Sequence, residues 1–313
     1  MSMYKIKQLP EDFIVREINN IKAEGNGAYS YFMLKKKNYD TVKAIERIAA
    51  ELKIPVKFIG FAGNKDKKAI TEQIISIKTT KKTGNLKLKD ICLTYIGKGN
   101  EPISLGSNEG NQFMITIRDL TNREINRLKK INKSKILIPN YFGEQRFSKN
   151  NIEIGISIIK KDFKKASELA GLKADNNDYI GALRKINKKT LTLYLHAYQS
   201  YLFNETVNQY LKINKGKTIE NIKIPVIGFG TETGNNQLGK IIGNILKQEK
   251  ISLRDFIIRQ MPELSSEGTE RDLFAEVKDF KIRKLEKGKA TLSFYLPKGS
   301  YATVFIKELF SRQ

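Results

Sequence analysis

Residues 58–77 read FIGFAGNKDKKAITEQIISI. Two largely apolar segments, at 58–62 and 69–77, flank a short polar loop, and their β-branched and aromatic side chains are typical of strands. The loop, residues 64–68, carries one acid, Asp66, among Lys65, Lys67 and Lys68. The pattern predicts two β-strands joined by a lysine-rich turn with a single carboxylate at its tip.

Two interpretations of Asp66 follow from these residues, and both stay open at this point. An aspartate in a turn often accepts hydrogen bonds from its own backbone, which is a purely structural role. Alternatively, the surrounding ammonium groups keep the carboxylate ionised, so that it serves as a nucleophile or a base. In that case the loop lysines, Lys65 among them, would hold neighbouring phosphate groups of a substrate.

The wider chain has β-rich ends and a helical middle. Strands are predicted at 12–18 and 29–36, and a helix at 40–52. The apolar face expected for this helix consists of Val42, Ile45, Ile48, Ala49 and Leu52. From about residue 150 the segments are helical, 213–245 is glycine-rich and expected to be irregular, and β character returns near 289. This order predicts an α+β domain interrupted by an inserted one.

Charge is the strongest global feature of the 313 residues. Lys plus Arg number 57 and Asp plus Glu 33, a formal net charge of +24. Such an excess repels itself unless a polyanion relieves it, so we expect a nucleic-acid partner. A lysine-rich composition without any such partner is the alternative. No segment reads as a membrane span, a basic amphipathic helix or a signal peptide, so the cytoplasm is the expected location.

The inventory of reactive residues restricts the chemistry. A single cysteine, Cys92, and a single histidine, His196, argue against a disulfide and a His/Cys metal site. The sequence contains no Walker loop, and GFGTETG at 228–234 departs from the dinucleotide glycine pattern. Nucleotide-driven and metal-driven catalysis therefore both lose support, and an active site would take its chemistry from Asp, Glu, Lys, Tyr or the bound substrate.

A second distinctive stretch, NYFGEQRFS, occupies residues 140–148. It combines aromatic and amide side chains with Arg146, and such a combination is suited to stacking a nucleic-acid base and forming hydrogen bonds with its edges. Aromatic side chains that plug the protein core would explain the same pattern.

Five segments together resemble the TruD family of pseudouridine synthases. They are PEDFIVRE (10–17), FAGNKDKKAITEQ (61–73), NYFGEQRF (140–147), YQSYLFN (198–204) and LPKGSYATVFIKE (296–308). They occur in the family's order and span nearly the whole chain. The resemblance implies a catalytic domain with a mixed, largely antiparallel sheet flanked by helices, at 1–147 and 272–313. It also implies an inserted, helix-rich TRUD domain at 148–271.

The resemblance implies a function as well. Members isomerise uridine to pseudouridine in tRNA, typically uridine 13 of the D arm, by base flipping and an aspartate-dependent cleavage and re-formation of the glycosidic bond. No cofactor is implied, and a cytoplasmic monomer is expected. Two alternatives are retained: a tRNA-binding chaperone of the same fold, and a ribosome-assembly protein. The first does not need Asp66, and the second leaves FAGNKD and NYFGEQRF unexplained.

Site residues carry over by motif position. Asp66 matches the family's catalytic aspartate, and Lys7 matches a basic residue that pairs with it. The predicted substrate-binding residues are Phe13, Asn140, Phe142, Tyr301, Lys65 and Arg146. Among them, Phe13 and Asn140 match nucleotide contacts, and Phe142 matches an aromatic that stacks on the flipped base. Tyr301 stands where some members have phenylalanine, so a role for its hydroxyl does not follow from the resemblance.

Overall fold

The computed structural model describes residues 4–79, 84–131, 135–148 and 150–311. The strands are β1 (Phe13–Ile18), β2 (Tyr29–Lys37), β3 (Ile59–Phe61), β4 (Ile70–Lys78), β5 (Leu86–Leu88), β6 (Ile91–Gly99), β7 (Gly110–Arg118), β8 (Ile136–Pro139), β9 (Lys223–Val226), β10 (Thr269–Asp272), β11 (Phe274–Glu286) and β12 (Lys289–Pro297). The helices are α1 (Thr41–Leu52), α2 (Asn122–Lys129), α3 (Asn151–Ile159), α4 (Phe163–Leu169), α5 (Tyr179–Arg184), α6 (Lys188–Ile213), α7 (Gln237–Glu249) and α8 (Ala302–Ser311).

Within the described residues, ten strands form one sheet in the order β5-β6-β2-β4-β1-β7-β12-β11-β8, with β3 paired to β4. The pairing of β1 with β4 is parallel. The other pairings of this sheet whose register is defined are antiparallel. They join β1 to β7, β2 to β4 and to β6, β3 to β4, β5 to β6, β7 to β12, and β11 to β12. The predicted α+β class with a mixed, largely antiparallel sheet is confirmed.

The predicted strand pair around Asp66 is present. Strand β3 pairs antiparallel with β4, with Ile59 opposite Ile77 and Phe61 opposite Ile75. Ile75 and Ile77 are fully buried. Burial of alternate side chains on one face sets the register of such a pair. The loop that carries Asp66 therefore leaves the sheet at a fixed position.

Helix α1 begins as its sequence predicts, but its buried face differs at one position. The Asp40 carboxylate caps the helix by accepting hydrogen bonds from the amides of Val42 and Lys43. Ile45 and Ile48 lie in the core, whereas Val42 is 42% exposed, so its assignment to the apolar face is wrong. Each helical residue turns by about 100°, which places Val42 to one side of the stripe that Ile45 and Ile48 define.

The chain divides into two compact units, Met1–Leu137 with Glu276–Gln313, and Ile138–Ala275. In the first unit, Phe32 and Leu34 of β2 pack with α1 in a buried cluster. In the second, α6 lies at the centre, and a larger cluster gathers side chains from α3, α4, α6 and α7. The domain edges predicted near 148 and 271 stay a prediction.

Helix α7 corrects the expectation of an irregular segment at 213–245. The Asn236 side chain caps it by accepting a hydrogen bond from the Gly239 amide, and Ile241, Ile242 and Ile245 are buried. Glycines at 239 and 243 weaken the local helical preference, so tertiary burial rather than propensity decides this segment. In the part of the chain that the structure describes, no helix has the length and apolarity to cross a membrane.

Candidate active site

The Asp66 side chain and Lys7 form an ion pair. The Nζ atom of Lys7 lies 3.1 Å from Oδ1 of Asp66, and the two side chains are 16% and 29% exposed. The carboxylate is therefore partly open to solvent and oriented by a largely buried ammonium. The structure brings these two residues together, and their catalytic roles stay predictions.

Lys7 itself is held in an unusual way. Its φ angle is 56°, in the left-handed region, which costs a non-glycine residue roughly 1–3 kcal/mol. Its ammonium also lies 4.1 Å from the centre of the Phe13 ring, a cation–π contact. Phe13 is 2% exposed. In this conformation Phe13 supports Lys7, and its predicted contact with a nucleotide stays a prediction.

Three buried polar side chains anchor the backbone of the Asp66 loop. The hydroxyl of Thr41, at the start of α1, accepts a hydrogen bond from the Lys65 amide at 3.0 Å. The amide of Gln73, in β4, donates to the Gly63 carbonyl at 3.1 Å. The ammonium of Lys36, in β2, donates to the Asp66 carbonyl at 3.0 Å. Since each anchor comes from a different element of the unit, the loop is fixed to the sheet and to α1.

A fourth anchor is a buried ion pair between Lys65 and Glu17. The Lys65 ammonium contacts the Glu17 carboxylate, and the two side chains are 9% and 0% exposed. Burial raises the pKa of Glu17, and the charge of Lys65 opposes that rise. Lys65 thus faces inward here, towards β1, while its predicted contact with substrate stays a prediction.

In the second unit, Asn140 is fixed by Arg271, a residue of β10. The Arg271 guanidinium donates to the Asn140 carbonyl at 2.8 Å and to its Oδ1 at 2.6 Å. The Asn140 side-chain amide donates in turn to the Asp272 carbonyl at 3.2 Å. Asn140 is 8% exposed, so its amide group is held in a defined orientation.

The contacts of the Phe142 ring fit both interpretations of its loop, packing in the protein core and stacking on a base. It packs edge-on against Phe203 at a centroid distance of 5.3 Å, next to an apolar cluster. The guanidinium groups of Arg271 and Arg146 lie 4.4 and 5.2 Å from its centre. Two hydrogen bonds with the Asn204 side chain hold its backbone. A base that stacks on Phe142 would have to displace one of these guanidinium groups from the ring, or stack on the guanidinium itself.

Tyr301 directly precedes helix α8. Its carbonyl accepts hydrogen bonds from the amides of Val304 and Phe305, at 3.1 and 3.2 Å, and its side chain is half-buried. The residue therefore forms part of the helix start, and the role of its hydroxyl stays a prediction.

The sequence reasoning missed six residues that hold these two sites in place: Lys36, Gln73, Glu17, Thr41, Arg271 and Asn204. A signal for three of them was present, because side chains two positions apart in a strand share a face. Lys36 follows Phe32 and Leu34 in this alternation, and Glu17 follows Phe13 and Val15. Gln73 precedes Ile75 and Ile77 in the same way. A charged residue on the same strand face as a series of buried apolar side chains is a candidate for a contact inside the protein.

Comparison with known proteins identifies the family. The protein-family model for tRNA pseudouridine synthase D (TruD) matches residues 3–170, 166–222 and 212–309 of the sequence. A protein of Nanoarchaeum equitans named as a probable tRNA pseudouridine synthase D is 33% identical, over 98% of both chains. The tRNA pseudouridine synthase D of Aquifex aeolicus is 29% identical, over 98% of both. A crystal structure from Methanosarcina mazei that bears the TruD name superposes with a TM-score of 0.74 at 26% identity, covering 100% of this chain and 95% of that one.

The mixed sheet, the aspartate loop and these matches define an enzyme of the pseudouridine synthase class. The chain belongs to the TruD family, tRNA pseudouridine synthase D.

Proposed function

We propose that this enzyme isomerises uridine to pseudouridine in tRNA, at uridine 13 of the D arm, with Asp66 as the catalytic carboxylate. The observation that carries the proposal is the ion pair of Asp66 with Lys7 at 3.1 Å, in which Asp66 lies on a loop whose backbone is anchored to the sheet. The names of the relatives support tRNA as the substrate.

The reaction is balanced without any other reactant. The bond between C1′ and N1 of the uridine breaks, the uracil turns, and a bond forms between C5 and C1′. A proton leaves C5 and N1 gains one, so the product is an isomer of the substrate. No electron is transferred and no phosphate is consumed, so the chemistry requires no cofactor.

Asp66 supplies the group that this chemistry needs. As a nucleophile it attacks the sugar or the base, and as a base it takes a proton from the sugar. Within residues 64–68 it is the one acidic side chain. The Lys7 ammonium orients the carboxylate, and the anchored backbone keeps it in place while the uracil turns.

The target base must first leave its stack, because its reacting atoms are inaccessible within a helix. Extrusion costs a few kcal/mol, which stacking and hydrogen bonds to the flipped base recover. We assign stacking to Phe142 and contacts with the base edge to Asn140, whose amide Arg271 holds in place. Phe13, Tyr301, Lys65 and Arg146 complete the proposed set of substrate contacts.

The net charge of +24 supports an RNA partner. Phosphate contacts by lysine and arginine would supply most of the affinity, and the shape of the D arm would direct the choice of site. The proposal also includes that the enzyme acts in the cytoplasm as a monomer.

The test is an isomerisation assay on a D-arm transcript with wild type, Asp66→Asn and, as a matched control, Asp119→Asn. Asp119 forms an exposed ion pair with Lys5 and lies outside the proposed site. We expect Asp66→Asn to lower the rate by about 10²- to 10⁴-fold and the control to leave it unchanged. A transcript with cytidine at position 13 should accumulate no pseudouridine in its D arm.

Two results would overturn the proposal. Wild-type rates in Asp66→Asn would exclude the carboxylate from catalysis. Tight tRNA binding without pseudouridine on any cellular RNA, read by chemical labelling, would favour the chaperone alternative. A map of the pseudouridines lost when the protein is deleted would identify the sites it modifies.

A further inference from the structure

Lys36 is a fully buried lysine beneath the Asp66 loop. It is 1% exposed, whereas lysine is almost never buried without partners. Its position in β2 places it opposite Thr71 of β4 and Ile91 of β6, on the sheet face where Leu34 and Phe32 enter the core. Burial of an ammonium is expensive, so its contacts must offset the loss of water.

Those contacts are three backbone carbonyls. The Nζ atom donates to the carbonyl of Tyr39 at 2.7 Å, of Asp66 at 3.0 Å and of Lys65 at 3.4 Å. An ammonium has three N–H donors, so each has an acceptor. Lys36 thereby connects the end of β2 and the segment before α1 to the peptide of the candidate catalytic residue.

Burial makes the charge of Lys36 sensitive to pH, and the charged groups around it modify the effect. Burial lowers its pKa to about 8, Asp40 and Asp66 act against this fall, and Lys65 adds to it. The cross-strand neighbours Thr71 and Ile91 carry no charge. On deprotonation the amine keeps two N–H donors for three carbonyls, and its lone pair faces one of them.

We propose that Lys36 is a positioning residue for the reaction: through its bond to the Asp66 carbonyl, the protonated ammonium holds the carboxylate where it meets the flipped uridine. This inference rests on the proposed function and deepens it. Lys36 does not touch the substrate, since its side chain is enclosed by the protein. Loss of the ammonium therefore lowers the rate of the chemical step and leaves the affinity for tRNA unchanged.

The variants for the test are Lys36→Met, which keeps an unbranched stem of four atoms and removes the ammonium, and Lys35→Met as a matched control. Lys35 is the neighbouring residue on the opposite face of β2, where its exposed side chain pairs with Glu72 at 3.0 Å. Single-turnover rate constants for pseudouridine formation and the Kd for tRNA are measured for each. We expect Lys36→Met to lower the rate constant by about 10²-fold with an unchanged Kd, and Lys35→Met to keep the wild-type rate constant.

The pH profile provides a readout that a purely structural role would not change. In the wild type and Lys35→Met, the single-turnover rate constant should fall as the pH rises through about 8, towards the level of Lys36→Met. Lys36→Met should lack this step. Lys36→Arg keeps its charge over the whole range, so the ratio of its rates at high and neutral pH should exceed the wild-type ratio.

Three results would overturn the inference: a wild-type rate in Lys36→Met, an alkaline step that persists in that variant, or a wild-type profile that is flat through pH 8. The pH profile of the wild type needs no variant, so a flat profile would overturn the inference even if Lys36→Met fails to fold. A wild type that forms no pseudouridine refutes the proposed function, and this inference with it. An active wild type with an unchanged Lys36→Met refutes the inference alone.

Discussion

Lys7 Nζ lies 3.1 Å from Oδ1 of Asp66, so the N-terminal segment and the loop between β3 and β4 meet in an ion pair. The backbone of Lys7 adopts a left-handed conformation, and the Phe13 ring supports its ammonium. Strained backbone of this kind persists where the surrounding structure enforces it, and it concentrates at functional sites. The pair therefore has the character of a built site rather than of a surface contact.

Replacement of Lys7 tests the pair. In Lys7→Met the Asp66 carboxylate loses a charged hydrogen-bond partner, an interaction of about 1.5–3 kcal/mol, so we expect a rate about 10- to 100-fold lower. Single-turnover kinetics on a D-arm transcript provide the measurement. Lys5→Met is the control, because Lys5 forms an exposed pair with Asp119 at 2.9 Å. Equal rates in the two variants would contradict a specific role for Lys7.

Removal of one partner from the buried pair of Glu17 and Lys65 should lower the stability of the fold. Lys65→Met leaves a carboxylate buried without its partner, so we expect a loss of roughly 3–5 kcal/mol in the free energy of unfolding. In Glu17→Gln combined with Lys65→Met, no charge remains, and much of the loss should be regained. Urea unfolding of both single variants and the double variant gives the coupling energy. Additive effects would show that the two residues do not interact.

The same pair predicts a pH dependence of stability. Burial raises the pKa of Glu17 in the folded state above 4.5, so between 4.5 and the folded value the folded protein binds more protons than the unfolded chain. The stabilisation from this group is thus complete below the unfolded pKa and is lost as the pH rises through the folded pKa. Relative to wild type, Glu17→Gln should gain stability over that window.

Urea unfolding at a series of pH values tests this dependence. A constant free-energy difference between wild type and Glu17→Gln would contradict it. Lys65→Met removes the charge that opposes the rise in pKa, so the window in that variant should extend to higher pH.

Local sequence signals predicted much of the fold. The strand pair around Asp66 and helix α1 depend on neighbouring residues, and both were predicted correctly. Helix α2 is also encoded locally, because Thr121 and Glu124 form a capping box at its start. Such features are encoded within a few positions, so the sequence alone suffices for them.

Contacts between distant segments were not predictable in this way. Lys36 lies 30 positions from Asp66, and Arg271 lies 131 positions from Asn140. A lysine or an arginine is assigned to the surface by default, and a local pattern does not contain the partner that permits its burial. The loop sequences therefore indicated where the two sites lie, while the side chains that hold them in place required the structure.

Arg271 provides a test of the second site. It donates two hydrogen bonds to Asn140 and lies over the Phe142 ring, a geometry that the lysine ammonium does not reproduce. We expect Arg271→Lys to weaken tRNA binding or slow the reaction by about 10-fold, the effect of one charged hydrogen bond. Arg259→Lys, in the same unit and outside this site, is the control. Unchanged kinetics in Arg271→Lys would show that the orientation of Asn140 does not matter.

Salt should affect tRNA binding and the chemical step differently. With a net charge of +24, phosphate contacts should dominate the affinity, and 6–10 of them would weaken binding by about 10³- to 10⁵-fold between 50 and 200 mM salt. The Asp66–Lys7 pair is 29% and 16% exposed and is screened less, so the single-turnover rate at saturating enzyme should change little. Titrations and single-turnover assays at several salt concentrations separate the two effects. A shallow binding slope would contradict a phosphate-dominated interface, and a parallel fall in the saturating rate would contradict a sheltered ion pair.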